Sequence, residues 1–281
     1  MRKHQRKDGR LPRNAPPLEV VIDHIGARGD GVGRATYTHN YATNEHQVFV
    51  PATLPTERVL VQPLSLSSQG IKARIIEFKD ESQHRQSPSC NAFPACGGCS
   101  FQHWHPDSIS QWKQDQVVHF LERADVWPGT IRPLHSSPLA SRRRATFHIK
   151  RLANDVVAGF HERQGEHIVY PDACTILPPD LAALLAALRQ IAHTHFPVGV
   201  TVDALANMLD QGICLRLAIN AGGKSDPALE RSPAFLAALG EWAAGSGLAR
   251  LSLLPSGAPG TPAIPLFAPI PPTLRFGEVT V

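Results

Sequence analysis

The amino-acid sequence predicts a mixed β and α+β fold, in which a small N-terminal β-barrel precedes an α+β domain. Short β-segments separated by glycine and proline turns fill residues 18–78, which is typical of a small barrel. Segments with helical and with strand-like apolar periodicity then follow each other over residues 107–254. With 42% hydrophobic and 19% charged residues among its 281, the chain has the composition of a globular protein.

The first residues form a basic arm. Residues 1–13 carry six lysines and arginines and one acid, a charge of +5, so with a total of +4 the rest of the chain sums to −1 and forms a nearly neutral body. We expect residues 1–17 to be a disordered arm that either contacts nucleic acid or serves as a solubilising tail. The arm has no apolar core typical of a signal peptide, and no apolar run is long enough to span a bilayer. We therefore expect a cytoplasmic protein with no membrane partner.

Within the barrel, apolar alternation predicts strands over residues 18–25, 47–50, 58–62 and 71–78. The glycine-rich stretch GARGDGVG between the first two resembles a dinucleotide-binding loop only loosely, because no helix follows it. We interpret it as a tight turn whose glycines adopt positive φ angles.

The second half of the chain alternates helices and strands. A polar connector, residues 79–89, leads to the cysteine-rich segment described below. Apolar periodicity and capping signals predict three helices and five strands. The first helix covers residues 107–125, the second begins after Pro178–Pro179, and the third begins near Ser232–Pro233. One strand ends at Arg151, and the others cover residues 155–160, 201–207, 213–219 and 248–254.

The five cysteines predict a metal centre. Their odd number, without an export signal, argues against a disulfide framework. Cys90, Cys96 and Cys99 fall within ten residues, and Cys174 can supply a fourth soft ligand. This division into three plus one favours an iron–sulfur cubane over a Cys₄ zinc site, which more often has two close pairs. Unrelated structural thiols are the remaining interpretation, and Cys214, on an alternating strand, is expected to be a core residue.

Four segments resemble the bacterial RNA uracil-5-methyltransferases. CNAFPACGGCSFQHW resembles the cluster loop of that family, SSPLASRRRATFHIK its basic strand, and HIVYPDACTILPP the loop of its fourth cysteine. Upstream, VIDHIGARGDGVGRA and VFVPATLPTERVLV resemble a TRAM domain, a small OB-like RNA-binding barrel. The matches occur in the family's order over residues 18–180.

The resemblance implies a TRAM barrel at residues 18–78, a central iron–sulfur domain at residues 79–101 and 134–270, and a Rossmann-like domain that binds S-adenosylmethionine. In this family a cysteine thiolate attacks C6 of a flipped uracil, C5 accepts the methyl group, and a base removes the C5 proton. The implied substrate is RNA, rRNA rather than tRNA, and we expect a monomer. Implied ligands of a [4Fe–4S] cluster, with zinc as the alternative, are Cys90, Cys96, Cys99 and Cys174.

The resemblance also implies an RNA contact at the basic strand. Arg142, Arg143 and Arg144 match that strand, and Lys150 extends its charge; a solvated face is the plainer alternative. Ser141 stands where the family often has an aromatic residue. Further along, Phe101, His103 and Trp104 are expected to cover the cluster or, alternatively, to stack on a base.

The sequence departs from the family downstream of Cys214, where no further cysteine and no cofactor-loop motif occurs. We therefore expect the Rossmann-like domain, the catalytic cysteine and the S-adenosylmethionine site to lie outside this chain, which would then be inactive alone. Residues 102–133 would form a helix that packs on the missing domain, and residues 271–281 would begin it. Two rival functions remain, a non-enzymatic metal-stapled RNA-binding module and a redox-sensing cluster protein.

Overall fold

A computed structural model of the chain describes residues 9–39, 41–126, 129–221, 224–225, 227–255, 262–269, 271, 273–276 and 279–280. The chain forms two units, residues 1–88 with 100–136 and residues 89–99 with 137–281. Residues 1–8 of the predicted arm lie outside the described residues. No described helix is long and apolar enough to cross a membrane.

The first unit contains six strands and one helix. They are β1 (Gly9–Arg10), β2 (Leu18–Ile25), β3 (Gly31–His39), β4 (Ala42–Val50), β5 (Arg58–Ser67), β6 (Gly70–Asp80) and α1 (Pro106–Arg123).

Strands β2 to β6 close into a five-stranded barrel. The order β5-β2-β3-β4-β6 is completed by pairing of β5 with β6, and every pair is antiparallel except β4 with β6. Alternate residues point inward, because side chains of a strand project to opposite faces in turn. The buried interior includes Val20, Ile22, Val48, Val59 and Val61.

The predicted disorder of the arm does not extend to residues 9–17. Strand β1 pairs with β5, with Gly9 opposite Leu66. Leu11 and Ala15 are buried in the barrel core, and Gln62 donates a hydrogen bond to the Ala15 carbonyl over 2.8 Å. Apolar anchoring of these two side chains holds the segment against the barrel.

The glycine-rich stretch is mainly a strand and not a turn. Gly29 has the expected positive φ of 78°, but Gly31 and Gly33 lie within β3. A Cβ at Gly31 would overlap the hydroxyl of Thr53, and one at Gly33 would overlap the carbonyl of Val21. Close approach of neighbouring backbone, more than left-handed geometry, therefore requires these two glycines.

Helix α1 packs within the first unit. Phe101, Trp104 and Trp112 form a cluster of edge-on and tilted rings with centroids 5.2–5.8 Å apart. This cluster packs on Ile25 and Leu54 in the first unit, so these rings contribute to its hydrophobic core, and the expectation that Phe101 and Trp104 cover an iron–sulfur cluster stays a prediction. On the helix, Val117 and Phe120 are half-exposed or more.

The second unit holds the remaining strands and helices. They are β7 (Arg144–Arg151), β8 (Val156–His161), β9 (Ile168–Val169), α2 (Pro179–His195), β10 (Val200–Leu209), β11 (Gly212–Ala221), β12 (Lys224–Ser225), α3 (Pro227–Glu230), α4 (Pro233–Gly245), β13 (Leu248–Leu254), β14 (Ile264–Phe267), β15 (Arg275–Phe276) and β16 (Val279–Thr280).

Strands β7 to β14 form one large sheet with two helices packed on one face, whereas β15 and β16 pair with each other in a separate two-stranded sheet. The sheet order is β14-β13-β11-β10-β7-β8-β9, antiparallel apart from the β11–β13 pair. Leu188 of α2 and Leu239 of α4 are buried against inward-facing residues such as Phe147 and Leu217. Ser232 caps α4 by accepting a hydrogen bond from the Phe235 amide, as its sequence position predicts. The opposite face of β7, β10, β11 and β13 carries polar and charged side chains.

Candidate functional site

The cysteine-rich loop is held against the hairpin formed by β8 and β9. The Gly97 amide donates a hydrogen bond to the His161 carbonyl over 2.9 Å, and the Arg163 amide donates to the Ala95 carbonyl over 2.9 Å. Cys96 forms an isolated antiparallel bridge with Glu162. These backbone bonds give the loop a fixed position, which a side chain there needs if it is to act as a ligand.

The loop that carries Cys174 joins the first cysteine loop. The hydroxyls of Ser89 and Thr175 lie 3.0 Å apart, and the Asn91 amide group donates to the Asp172 carboxylate over 2.6 Å. Each bond connects a residue beside Cys90 with one beside Cys174. The fold thereby brings together two segments that lie more than seventy positions apart in the sequence.

The other three predicted ligands all influence the Cys96 thiol. Burial raises the pKa of the Cys96 thiol, a hydrogen bond from the Gly98 amide to Sγ (3.4 Å) opposes this, and the nearby thiols of Cys99, Cys90 and Cys174 raise it further. The other three thiols therefore lie close enough to Cys96 to act on its charge. The Gly98 amide is thus a hydrogen-bond donor to a cysteine sulfur within the loop.

The thiols do not form a ready-made site for a single ion. Among the described residues, no three or more His, Cys, Asp or Glu side chains converge closely enough to hold a metal ion. A zinc ion draws its sulfurs to about 2.3 Å from one centre. A cubane spreads its four thiolates, because each binds a different iron. The metal centre and its identity therefore stay predictions.

The basic strand contacts the cysteine loop directly. The Arg142 guanidinium donates to the Gly98 carbonyl over 3.2 Å and to the Arg144 carbonyl over 3.1 Å. Its backbone amide donates to the Ile176 carbonyl, two residues after Cys174. Arg142 thus bonds to both loops of the cysteine cluster while its side chain remains exposed.

The other predicted RNA contacts lie on β7 or just before it. Arg143 donates from Nε to the Met208 carbonyl over 3.2 Å and forms an ion pair with Asp210 at 3.5 Å. Arg144 and Lys150 are exposed at opposite ends of β7. Their even spacing places both on the face opposite Phe147, the face not covered by the helices.

A groove of about 860 Å³ lies on this uncovered face. Its lining includes five arginines, and none of the described lining residues is acidic. Cys214 lines the groove and is half-buried, so the expectation that it is a core residue is wrong: it sits on the outward set of alternating positions. Burial raises the pKa of its thiol, and the Arg250 charge lowers it.

A histidine pair on the same face escaped sequence reasoning. His148 Nδ1 lies 2.6 Å from the Asp203 carboxylate, and the rings of His148 and His161 contact each other at an angle of 34° with centroids 3.7 Å apart. The hydrogen bond with His148, and then the charges of both histidines, lower the pKa of Asp203. His148, His161 and Asp203 lie on three different strands, so the sequence does not show that they meet. The one sequence signal for this site was the position of His148 on the outward side of its strand.

Comparison with known proteins places RNA methyltransferases among the relatives of this chain. It is 32% identical over 272 residues to an uncharacterised RNA methyltransferase of Rhizobium meliloti, covering 93% of this chain and 57% of that protein. It is 32% identical over 182 residues to the 23S rRNA (uracil(1939)-C(5))-methyltransferase RlmD of Ralstonia pickettii, covering 62% of this chain and 40% of that enzyme. No family model matches the chain.

The fold has a counterpart of known structure. The tRNA (uracil-54, C5)-methyltransferase of Pyrococcus abyssi, solved with S-adenosyl-L-homocysteine, matches with a TM-score of 0.54 at 12% identity, over 93% of this chain and 58% of that one. The homologues are thus RNA methyltransferases, and the chain shares the fold of one. It spans between 40% and 57% of the length of the two relatives named above.

This match overturns one part of the predicted fold class. The Rossmann-like domain was expected to be missing, yet 93% of the chain matches the fold of a methyltransferase solved with a cofactor product. The expectation was based on the absence of the family's short motifs after Cys214. A motif indicates local chemistry, whereas a fold depends on packing, so a fold can be present without the motif. The predicted lack of a catalytic cysteine and cofactor site, and of activity, is likewise unsupported.

The end of the described chain also differs from its prediction as the start of a separate domain. The Arg275 amide donates to the Asp210 carboxylate over 2.7 Å, and the Thr273 amide donates to the Gln211 side chain over 2.8 Å. These bonds fix residues 273–276 to the turn between β10 and β11, so the segment is part of the second unit.

Proposed function

We propose that this chain belongs to an RNA uracil-C5 methyltransferase that uses S-adenosylmethionine and acts on rRNA. The main observation behind this proposal is the similarity of the chain to RNA methyltransferases. The alignment with the Rhizobium meliloti relative covers 93% of this chain. The named activity of the Ralstonia pickettii relative favours rRNA over tRNA. S-Adenosylmethionine would supply the methyl group. A purely non-enzymatic RNA-binding module is not favoured, because the named relatives are enzymes.

The four cysteines are proposed to hold a [4Fe–4S] cluster. Support comes from the two loops joined by the Ser89–Thr175 and Asn91–Asp172 contacts, from the coupling of the thiols around Cys96, and from the Gly98 amide at its sulfur. The role we propose is structural: the cluster would fasten the loops against which Arg142 is placed. No electron transfer is needed for methyl transfer.

The barrel and the basic strand are proposed to bind the RNA. The closed five-stranded barrel has the architecture of OB-type oligonucleotide-binding domains and is proposed to be a TRAM domain. Arg142, Arg143, Arg144 and Lys150 are exposed guanidinium and ammonium groups suited to phosphate oxygens. Such contacts fix the register of the RNA, and base-specific chemistry then requires the uracil to leave its stack.

A gene deletion in the source organism tests the proposal on the whole protein. Mass-spectrometric mapping of 5-methyluridine in rRNA and tRNA is expected to show one rRNA position unmodified in the deletion strain, restored by the wild-type gene. Unchanged modification of both RNA classes would contradict the methyltransferase proposal. Loss from tRNA alone would contradict the rRNA assignment and retain the enzyme class.

A further inference from the structure

The groove on the uncovered face of the sheet contains arginines that the basic strand does not include. Arg216 lies on β11 and Arg250 on β13, and both line the groove beside Arg144. Nothing in the resemblance assigns a role to either residue. They extend the positive charge across the sheet, away from the segment that precedes β7.

Strand register aligns these residues into a continuous row. Arg144 pairs with Asn207, Asn207 with Cys214, and Cys214 with Arg250. The row therefore crosses four adjacent strands, or about 14 Å at the usual spacing between strands. Arg216 lies two residues beyond Cys214 on β11 and hence on the same face.

Among the described residues, the guanidinium groups of Arg144 and Arg250 in this row and of Arg216 next to it have no protein partner. Within the part of the chain that the structure describes, the side chains of Arg144, Arg216 and Arg250 make no hydrogen bond or ion pair, and the Arg250 Nε atom is buried without an acceptor. A buried donor without a partner is costly, unless a ligand supplies the acceptor. With no acidic residue among the described lining, the expected ligand is an anion.

We infer that this groove is an extended phosphate-binding track for single-stranded RNA, with Arg216 and Arg250 as phosphate contacts in addition to the basic strand. This inference rests on the proposed RNA-binding function. The groove, at about 860 Å³, is larger than one phosphate group needs, and its positive charges are spread along a row. Both features suit a series of phosphate groups along an RNA strand. Asn207 and Ser252, between the arginines, can donate to sugar or phosphate oxygens.

The test measures binding of a short fluorescein-labelled single-stranded RNA by fluorescence polarisation over a range of salt concentrations. The variants are Arg216→Gln and Arg250→Gln, with Arg231→Gln as the matched control: Arg231 is exposed, lies outside the groove and carries the same charge. Each groove variant is expected to weaken binding about fivefold and to reduce the salt slope by about 0.7, the value for one phosphate on a single strand. Arg250→Lys should recover part of the affinity, since it restores the charge.

The outcomes separate this inference from the function on which it depends. Arg142→Gln reports on the basic strand. If Arg142→Gln weakens binding while Arg216→Gln and Arg250→Gln behave like Arg231→Gln, the track is overturned and the RNA-binding proposal stands. If the wild-type chain itself shows no salt-dependent RNA binding, both are overturned. Equal losses on uridine-rich and adenosine-rich RNA would support backbone contact.

Discussion

The Arg142 guanidinium donates a hydrogen bond to the Gly98 carbonyl, 3.2 Å away, and so connects the basic strand with the cysteine loop. Gly98 in turn donates its amide to Cys96 Sγ. One residue therefore stands between a proposed RNA contact and a proposed cluster ligand. Loss of the cluster should move Arg142, and loss of Arg142 should loosen the cysteine loop.

Arg142→Gln should therefore impair two properties, RNA affinity and cluster retention. Arg144→Gln is the matched control, because the Arg144 side chain makes no bond to the cysteine loop among the described residues. Iron released to a chelator and RNA affinity are measured for both variants. Faster iron loss in Arg142→Gln alone is expected; equal iron retention in the two would contradict the connection.

Glu57 and Arg85 form a buried ion pair that should stabilise the first unit. Glu57 is fully buried, accepts bonds from Arg85 at 2.6 and 2.7 Å, and also accepts the Leu54 amide at 2.8 Å. Glu57→Ala leaves Arg85 without its partner and should reduce the free energy of unfolding by about 3–5 kcal/mol.

Glu45→Ala is the control for that experiment. It breaks the exposed pair of Glu45 with Arg34, whose side chains are 61% and 63% accessible, and should cost less than about 1 kcal/mol. Denaturant unfolding followed by tryptophan fluorescence compares the two. Similar losses in both variants would refute the structural role given to the Glu57 pair.

The glycines of β3 should not tolerate even a methyl group. Gly33→Ala would push a Cβ into the backbone carbonyl of Val21, which cannot rotate away, and should cost about 1–3 kcal/mol. Gly245→Ala is the control, because its added Cβ meets nothing within 4 Å. Thermal unfolding of both variants is the measurement, and a Gly33→Ala chain as stable as wild type would exclude the close approach.

The Asp203–His148 bond predicts a stability difference that depends on pH. Because the folded state lowers the pKa of Asp203, its contribution is present above the unfolded pKa of about 3.9 and is lost as pH falls through the lower folded value. Asp203 is half-exposed, so Asp203→Asn should cost under about 1 kcal/mol near neutrality. Unfolding temperatures of both chains should converge under acidic conditions; a constant gap would rule out this titration.

Local signals predicted several elements well. Alternation alone placed β2 at residues 18–25, and the Pro178–Pro179 and Ser232–Pro233 signals located the starts of α2 and α4. The strand over residues 31–39 was not predicted, because its glycines suggested a turn. In the structure Gly31 and Gly33 lie within the strand, where neighbouring atoms leave no room for a Cβ. Sequence patterns report conformational preference, and they do not report how closely a neighbouring chain approaches.

The candidate site was predictable only in part. The cysteine pattern indicated four ligands, and the contacts that join the Cys90 loop to the Cys174 loop could not be inferred from their spacing. The groove arginines were not recognised, because Arg216 and Arg250 are isolated in the sequence and meet Arg144 only through strand register. The packing of Trp104 on Ile25 and Leu54 was not foreseen for the same reason.

The central claim is that the four cysteines hold an iron–sulfur cluster within an RNA-methylating protein, and metal analysis tests it most directly. Iron, sulfide and zinc are quantified per chain after anaerobic purification, for the wild type, for Cys96→Ala and for Cys214→Ala as the cysteine control. The account predicts about four iron and four sulfide in the wild type and in Cys214→Ala, and loss of both in Cys96→Ala. One tightly held zinc without sulfide would contradict it.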